Sequence, residues 1–308
     1  MAIEFRSMDR GQTVFLIDSM NYIFRAYYGM PDTITSPSGM KTNAVTGYLR
    51  TLLRILRDQQ PGFIAAAFEG ANSFRRQLFT EYKANRTAPP DDLKVQFGYC
   101  RRMTEAVGIP TFQAETFEAD DVIGSLAAYM SERGHPVVIV SGDKDLSQLV
   151  NDRVQVYDLA KNLWLDHDGV RGRMGVDPSQ VPDLLALLGD AVDNIPGIQG
   201  VGGKTAVKLL AACRTIEDIA ASDLEGVSIR GRATILKRIR ENLDSARTSR
   251  ELARIRCDVD LGITPEKLRY RKGLPDHVLP LCSELGLDGV VGDIPMRYDQ
   301  PGLFDTAG

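Results

Sequence analysis

The first half of the chain alternates short apolar runs with longer stretches of mixed polarity. "TVFLID" (13–18), "FIAAAFE" (63–69) and "PVVIVSGD" (136–143) are continuous apolar runs of strand length, and "RVQVYDL" (153–159) is a weaker one. Strands that are apolar on both faces suit a parallel sheet covered by helices on either side. Between these runs, apolar residues recur at helical spacing over 43–57, about 92–107 and 119–133. "GMPDTITSPSGMKTN" (29–43) reads as a turn-rich loop. Beyond about residue 175 the strand signal fades, and the pattern is helical to about 290. The expected fold class is α/β: a central, mostly parallel sheet flanked by helices, then a helical region in one continuous body. "GDIPMRYDQPGLFDTAG" closes the chain as an extended tail.

Each of the three clearest strand patterns closes on a carboxylate: Asp18, Glu69, and Asp143 with Asp145 just beyond. In open parallel sheets, ligands bind in the crevice beyond the carboxyl ends of the strands. "ETFEADDVIGSLAAY" adds Glu118, Asp120 and Asp121 at the start of a helix, where acids also complement the helix dipole. "GDAVDN" adds Asp190 and Asp193, expected on one face of a helical turn. Helix capping explains one or two of these acids, but not acids at the ends of three separate strands. Gathered in one place, they repel one another unless cations hold them. The donors are all oxygen, with no His or Cys nearby in sequence, which suits Mg²⁺ or Mn²⁺ better than zinc.

A net charge of −4 is at first sight wrong for a nucleic-acid partner, but setting these nine acids aside leaves the remainder at +5. The positive charge is clustered: residues 230–256 hold nine Lys/Arg against three acids, and "FRRQLFTEYKANR" (74–86) holds four against one. The four cysteines, Cys100, Cys213, Cys257 and Cys282, form no Cys-x-x-Cys pair and read as free thiols of a reducing cytoplasm. No apolar run approaches membrane-spanning length, and "MAIEFRSMDRGQ" lacks a signal-peptide core.

"GDAVDNIPGIQGVGGKTAVKLL" (189–210) ends in a Gly-Lys-Thr but fails as a P-loop on spacing. Counting back from Lys204 puts Ile198 where the first Gly belongs, and no apolar strand leads in. What remains is a short helix, a Pro-Gly turn, a glycine-rich hairpin and a second helix beginning near Lys204. Glycines there let a phosphodiester backbone approach main-chain amides, and a helix N-terminus favours the anion.

Together "FLIDSMNYIFRAYYGM", "EYKANR", "FEADDVIGSLA", "SGDKDLSQLV" and "GDAVDNIPGIQGVGGKTA" resemble the 5′-nuclease (flap endonuclease) family, in the form found as the 5′→3′ exonuclease domain of bacterial DNA polymerase I. The likeness runs from about 13 to 290, in the family's order and spacing. It implies a PIN-like 5′-nuclease core over 1–175 with a helical arch at about 72–94. It also implies a DNA-binding region over 176–290 with a helix–two-turn–helix at about 184–212, and a tail over 291–308. With 308 residues there is no room for a polymerase, so a free-standing member is expected.

The resemblance implies two divalent ions about 4 Å apart. Asp18, Glu69, Glu118, Asp120 and Asp143 would hold the first, and Asp145, Asp190 and Asp193 the second, with Asp121 also among the metal-binding acids. Lys83 would meet the scissile phosphate with Arg86 beside it, Arg75 and Arg76 would grip backbone, and Tyr82 would stack on a base. Gly200, Gly202 and Gly203 amides, with Lys204 and Lys208, would hold duplex backbone around a K⁺ ion. The implied activity is structure-specific hydrolysis of flapped DNA in replication and repair, by a cytoplasmic monomer. A DNA-binding protein with weakened catalysis and a PIN-like ribonuclease are the alternatives.

Two positions depart from the family pattern. Glu69 stands where the family carries Asp, so metal binding is expected with shifted geometry and a reduced rate or a preference for Mn²⁺. Asp18-Ser19 replaces Asp-Gly. Finally, "QPGLF", with Gln300, Leu303 and Phe304, resembles the peptide by which bacterial replication proteins dock on the sliding clamp.

Overall fold

The sheet is built from the apolar runs of the sequence. The computed structural model describes residues 9–297. Strands β1 (Val14–Asp18), β2 (Phe63–Ala67), β3 (Thr111–Phe112), β4 (Val137–Val140), β5 (Val154–Asp158) and β6 (Leu163–Leu165) assemble in the order β3-β2-β1-β4-β5-β6. All neighbours are parallel except the edge pair β5–β6, which is antiparallel. The weak run at 153–159 is a fully buried strand. The sequence pattern misses β3 and β6, each too short to show a period.

Alternate residues of β1 face two different cores, as the twofold period of a strand demands. Val14 and Leu16 join one cluster with α5 (Ala119–Glu132), α7 (Val181–Leu188) and α11 (Leu243–Ala253). Phe15 and Ile17 join the other, under α1 (Ser19–Gly29), α2 (Asn43–Gln59), α4 (Asp91–Ala106) and α12 (Pro275–Leu285). The helical stretches expected at 43–57, 92–107 and 119–133 thus appear with ends shifted by one or two residues. Asp18 serves twice: it closes β1, and its Oδ1 accepts the Asn21 amide at 3.1 Å to cap α1.

After α6 (His167–Met174), the described chain is helical, with α8 (Gly203–Ala212), α9 (Ile216–Ala221) and α10 (Arg232–Glu241) completing the set. α7 and α8 flank the turn at 189–202, and Ser249 on α11 steadies it by donating its hydroxyl to Pro196 O at 2.8 Å. Gly189 has φ +73°, and a Cβ there would lie 2.6 Å from Gly197 N, so the turn closes only with glycine at this position.

Two expectations fail. The segment at 72–94 is not a helical arch: α3 (Arg75–Leu78) is one turn, and turns follow it as far as Arg86. The Lys83 amide is tied to Asp193 O (2.9 Å) and Asn194 Nδ2 to Glu81 O (2.8 Å), which pins this stretch to the 190–194 loop and leaves it no helical ladder. Pro89 and Pro90 then bar helix until α4 begins. Asp190 and Asp193 do not share a helical turn either. Asp190 accepts the Val192 amide (2.8 Å) and bridges to Ile195, while Asn194 sits at φ +56°, so the acids occupy a tight closed turn.

Leu16 is fully buried in the central strand, so Leu16→Ala should cost about 3 kcal/mol, through lost transfer energy and the cavity left behind. Urea denaturation should show this loss; one below about 1 kcal/mol would mean that the two cores collapse readily around β1.

Candidate active site

Beyond the carboxyl ends of β1, β2 and β4, short links gather the acids. Ser141, just past β4, donates its hydroxyl to Asp18 Oδ2 at 2.6 Å and accepts the Asp143 amide at 3.0 Å. The Asp145 amide in turn donates to Asp143 Oδ1 at 2.9 Å. Glu69 reaches across to α5, where its Oε2 accepts the Ala119 amide at 3.3 Å. Glu118 caps that same helix. Lys83 donates Nζ to Glu118 Oε2 at 2.7 Å, and the Tyr82 hydroxyl lies 3.1 Å from the same oxygen. On the far side, Lys144 pairs with Asp190 at 2.9 Å and Arg86 with Asp193.

The carboxyl groups feel one another. Burial raises Asp18 to about 6, against its hydrogen bonds from Ser141 and Asn21, and Asp143 adds to the rise. Burial, then Asp143 and Asp18, hold Asp120 well above the usual carboxylate range. Glu69 is raised by burial and then by Glu118. Asp145 rises to about 7, first by burial, then by Asp143, with Asp190 and Asp193 contributing. For Glu118, burial pushes upward, but Lys83 and Arg75 outweigh it and leave the group below its ordinary value. Asp190 is lowered in the same manner, Lys144 and the Val192 amide overcoming burial.

Among the described residues no three acids are already drawn close enough to enclose an ion. The donor set nonetheless fits a hard divalent cation. It is all oxygen, burial and then neighbouring carboxylates raise the proton affinities of Asp18, Glu69, Asp120 and Asp145, and Asp145 Oδ1 is buried with no hydrogen-bond partner. Lys83, Arg86 and Lys144 supply the positive charge on Glu118, Asp193 and Asp190. Lys83 does so from a left-handed backbone conformation, φ +55°, which a non-glycine residue adopts only when its surroundings impose it.

Three assignments from the sequence need correction. Asp121 is fully buried, and both its oxygens are consumed by Arg75 (2.6 and 2.7 Å) and by the Arg256 and Glu118 amides. It presents nothing to a metal. Arg75 is 2% exposed and spent on that pair, so it does not grip DNA. Tyr82 is 3% exposed with its hydroxyl turned to Glu118 and Asp193, so its ring is not free to stack on a base. Arg76, by contrast, is exposed, as are Gly200, Gly202, Gly203 and Lys204 around the start of α8. Gly200 has φ +84°. Lys208 is exposed but donates to Ser228 O at 3.0 Å.

The sequence pattern does not single out Ser141 and Lys144, although "SGDKD" places both among the acids. Nor does it single out Asp158, which closes β5. That carboxylate is buried in a local turn, taking the Ala160 and Lys161 amides and Lys161 Nζ, and does not join the cluster.

A parallel sheet with acids massed at its carboxyl edge and a glycine turn beside it defines a nuclease-like site. Residues 13–175 match the 5′-3′ exonuclease N-terminal resolvase-like domain, and residues 176–276 match the 5′-3′ exonuclease C-terminal SAM fold. The chain belongs to the 5′-3′ exonuclease family, whose domains occur in DNA polymerase I. It is 39% identical over 269 residues to DNA polymerase I of Rhizobium leguminosarum, covering 85% of this chain and 26% of that protein. Against DNA polymerase I of Pseudomonas aeruginosa the identity is 38% over 291 residues, covering 93% and 32%. The chain therefore spans about a third or less of the length of these relatives.

Among solved structures, it is similar to bacteriophage T5 flap endonuclease in a pseudo-enzyme–product complex with DNA and metal ions. There the TM-score is 0.62 and the identity 19%, over 78% of this chain and 88% of that one. The catalytic core of Rad2 in complex with DNA substrate gives a TM-score of 0.64 at 15% identity, over 96% and 94%. These likenesses show the fold. Among the described residues no helix is long and apolar enough to cross a membrane.

Asp145 is raised in the folded state, so it favours folding at low pH and loses that contribution as pH climbs from about 4 through about 7. In EDTA, Asp145→Asn should therefore melt higher than the parent at pH 8, with the gap closing toward pH 4. Melting curves that stay parallel across this range would show that burial and the neighbouring carboxylates do not raise Asp145.

Proposed function

We propose that this chain hydrolyses DNA phosphodiesters near 5′ single-strand/duplex junctions, acting as a 5′→3′ exonuclease and flap endonuclease. The observation that carries this reading is the meeting of Asp18, Glu69, Glu118, Asp120, Asp143, Asp145, Asp190 and Asp193 at one sheet edge, under Lys83 and Arg86. Asp18, Glu69, Glu118, Asp120 and Asp143 would hold one divalent ion, and Asp145, Asp190 and Asp193 a second, as Mg²⁺ or Mn²⁺. When bound, such ions supply Lewis-acid stabilisation of the phosphoryl oxygens and lower the proton affinity of water.

The chain's own residues do the rest. Besides the sealed Arg75, which lies near Glu118, the cations paired with Glu118 and Asp193 among the described residues are Lys83, on Glu118 and more distantly on Asp193, and Arg86, on Asp193. A scissile phosphate would draw them off those acids, placing positive charge on the substrate and freeing carboxylate oxygen at the same moment. The exposed amides of Gly202 and Gly203, Lys204 beside them, and K⁺ held near Gly200 would bind the duplex backbone. The basic stretch at 230–256 and Arg76 would extend that grip. Specificity then comes from the shape of the junction, because no element among the described residues is suited to reading base edges.

The division at about 175, a monomeric state and a cytoplasmic setting belong to the same proposal. Gln300, Leu303 and Phe304 lie outside the described residues. Their docking on a sliding clamp is proposed on the sequence motif alone, and deleting 299–308 should abolish clamp binding while sparing cleavage.

A 5′-labelled flap DNA tests the main reading. Cleavage should require Mg²⁺ or Mn²⁺ and stop in EDTA. Asp120→Asn and Asp143→Asn should each lower kcat at least ~100-fold, with flap affinity within about threefold, because they remove catalytic charge and leave the duplex grip intact. Cleavage that survives both substitutions, or EDTA, sinks the proposal. Binding of flap DNA without cleavage in either metal would favour a DNA-binding protein instead.

A further inference from the structure

The segment that leaves α11, residues 252–256, is gripped through its backbone at every position. Arg75 donates Nε to Leu252 O and Nη2 to Arg254 O, both at 2.8 Å. Gln148 donates Nε2 to Ala253 O at 3.0 Å and accepts the Ile255 amide at 2.9 Å. Asp121 accepts the Arg256 amide at 2.9 Å.

Each of these three side chains also reaches the acid cluster. Arg75 forks onto Asp121, whose Oδ2 accepts the amide of Glu118 at 3.1 Å and fixes the entrance of α5. Gln148 donates the same Nε2 to Asp145 O at 3.0 Å. One segment is thereby fastened to both halves of the cluster, the Glu118 side and the Asp145 side. One turn before this segment α11 holds the glycine turn, through the bond from Ser249 to Pro196 O. Gly124 confirms how closely the segment lies on α5: a Cβ there would meet Arg256 O and Ile255 Cγ2 at 2.7 Å.

We propose that Arg75, Asp121 and Gln148 are positioning residues that make the arrangement of the acids depend on how α11 sits. Duplex held at the glycine turn is thereby felt at the acids before any phosphodiester is attacked. This rests on the proposed reading of the turn as a duplex grip and the acids as metal ligands. The fork matters chemically. Arg75 spreads its donors over two carbonyls and a carboxylate in one plane, which a lysine cannot do. Coupling of this kind is reciprocal, so duplex must tighten metal binding by the same factor that metal tightens duplex binding.

The test uses the full chain and a closed dumbbell duplex, which offers no 5′ end to cut. Mn²⁺ binding is followed by electron paramagnetic resonance, with and without the dumbbell. The parent should bind Mn²⁺ about fivefold more tightly when the dumbbell is present. Gln148→Leu and Arg75→Lys should bind it equally with or without dumbbell, while their affinity for the dumbbell in EDTA stays within twofold of the parent. On flap DNA, Gln148→Leu should lower kcat about tenfold with KM within twofold. Should Arg75→Lys fail to fold, Gln148 is only half-buried, and its variant carries the test alone. A parent that binds both ligands without coupling overturns the inference and leaves the nuclease reading standing, as does coupling that persists in Gln148→Leu. A parent that binds no Mn²⁺ at all overturns the metal reading and the inference with it.

Discussion

Repulsion among carboxylates is the constraint around which this molecule is arranged. The parallel sheet brings strand ends together at one edge, and three of them, with the entrance of α5 and the turn at 190–194, deliver acids there. Left uncompensated, such a group would loosen the sheet edge that carries it. The neighbouring features supply compensation in different forms. Ser141 and the Asn21 amide hydrogen-bond to Asp18, Lys83 and Lys144 contribute charge, and the Asp145 amide bonds to Asp143. Burial, with neighbouring carboxylates adding to it, still holds Asp18, Asp120 and Asp145 above the usual carboxylate range. A site tuned in this way suits multivalent cations, because its own charges are not fully settled.

Much of this is legible in the amino-acid sequence alone. The apolar runs at 13–18, 63–69 and 136–143 imply parallel pairing, because it needs crossovers and the helical stretches between them supply these, but they do not carry the strand order. The carboxylates followed from the same runs, since a strand's last residue sits where its partners end. What stayed hidden was the use to which side chains are put once packed. Arg75 and Arg76 are adjacent and identical in type, yet one is sealed inside and the other lies in solvent. Asp120 and Asp121 divide likewise, one facing the cluster and the other turned to Arg75. Periodicity cannot assign such pairs, because the partners that decide them lie 46 residues away, for Arg75 with Asp121, and 177 away, for Arg75 with Leu252.

The segment expected to form an arch illustrates a second limit. Its composition is compatible with a basic helix, but local preference loses to tertiary bonds. The Lys83 amide and the Asn85 and Asn194 side chains tie it to the 190–194 loop. Such overrides arise where two loops meet, and neither loop's sequence alone announces the meeting.

The Arg75 bridge has a consequence for how the chain comes to life. Its carbonyl partners lie 177 and 179 residues downstream. As the polypeptide emerges from the ribosome, the sheet and most of the acids are made first. Until Arg254 has followed, the guanidinium and the α5 entrance lack the surface against which they settle. Newly made protein would thus pass through a stage with a sheet but no finished centre. On the proposed function, the centre would be completed only once the helices proposed to hold duplex had been made.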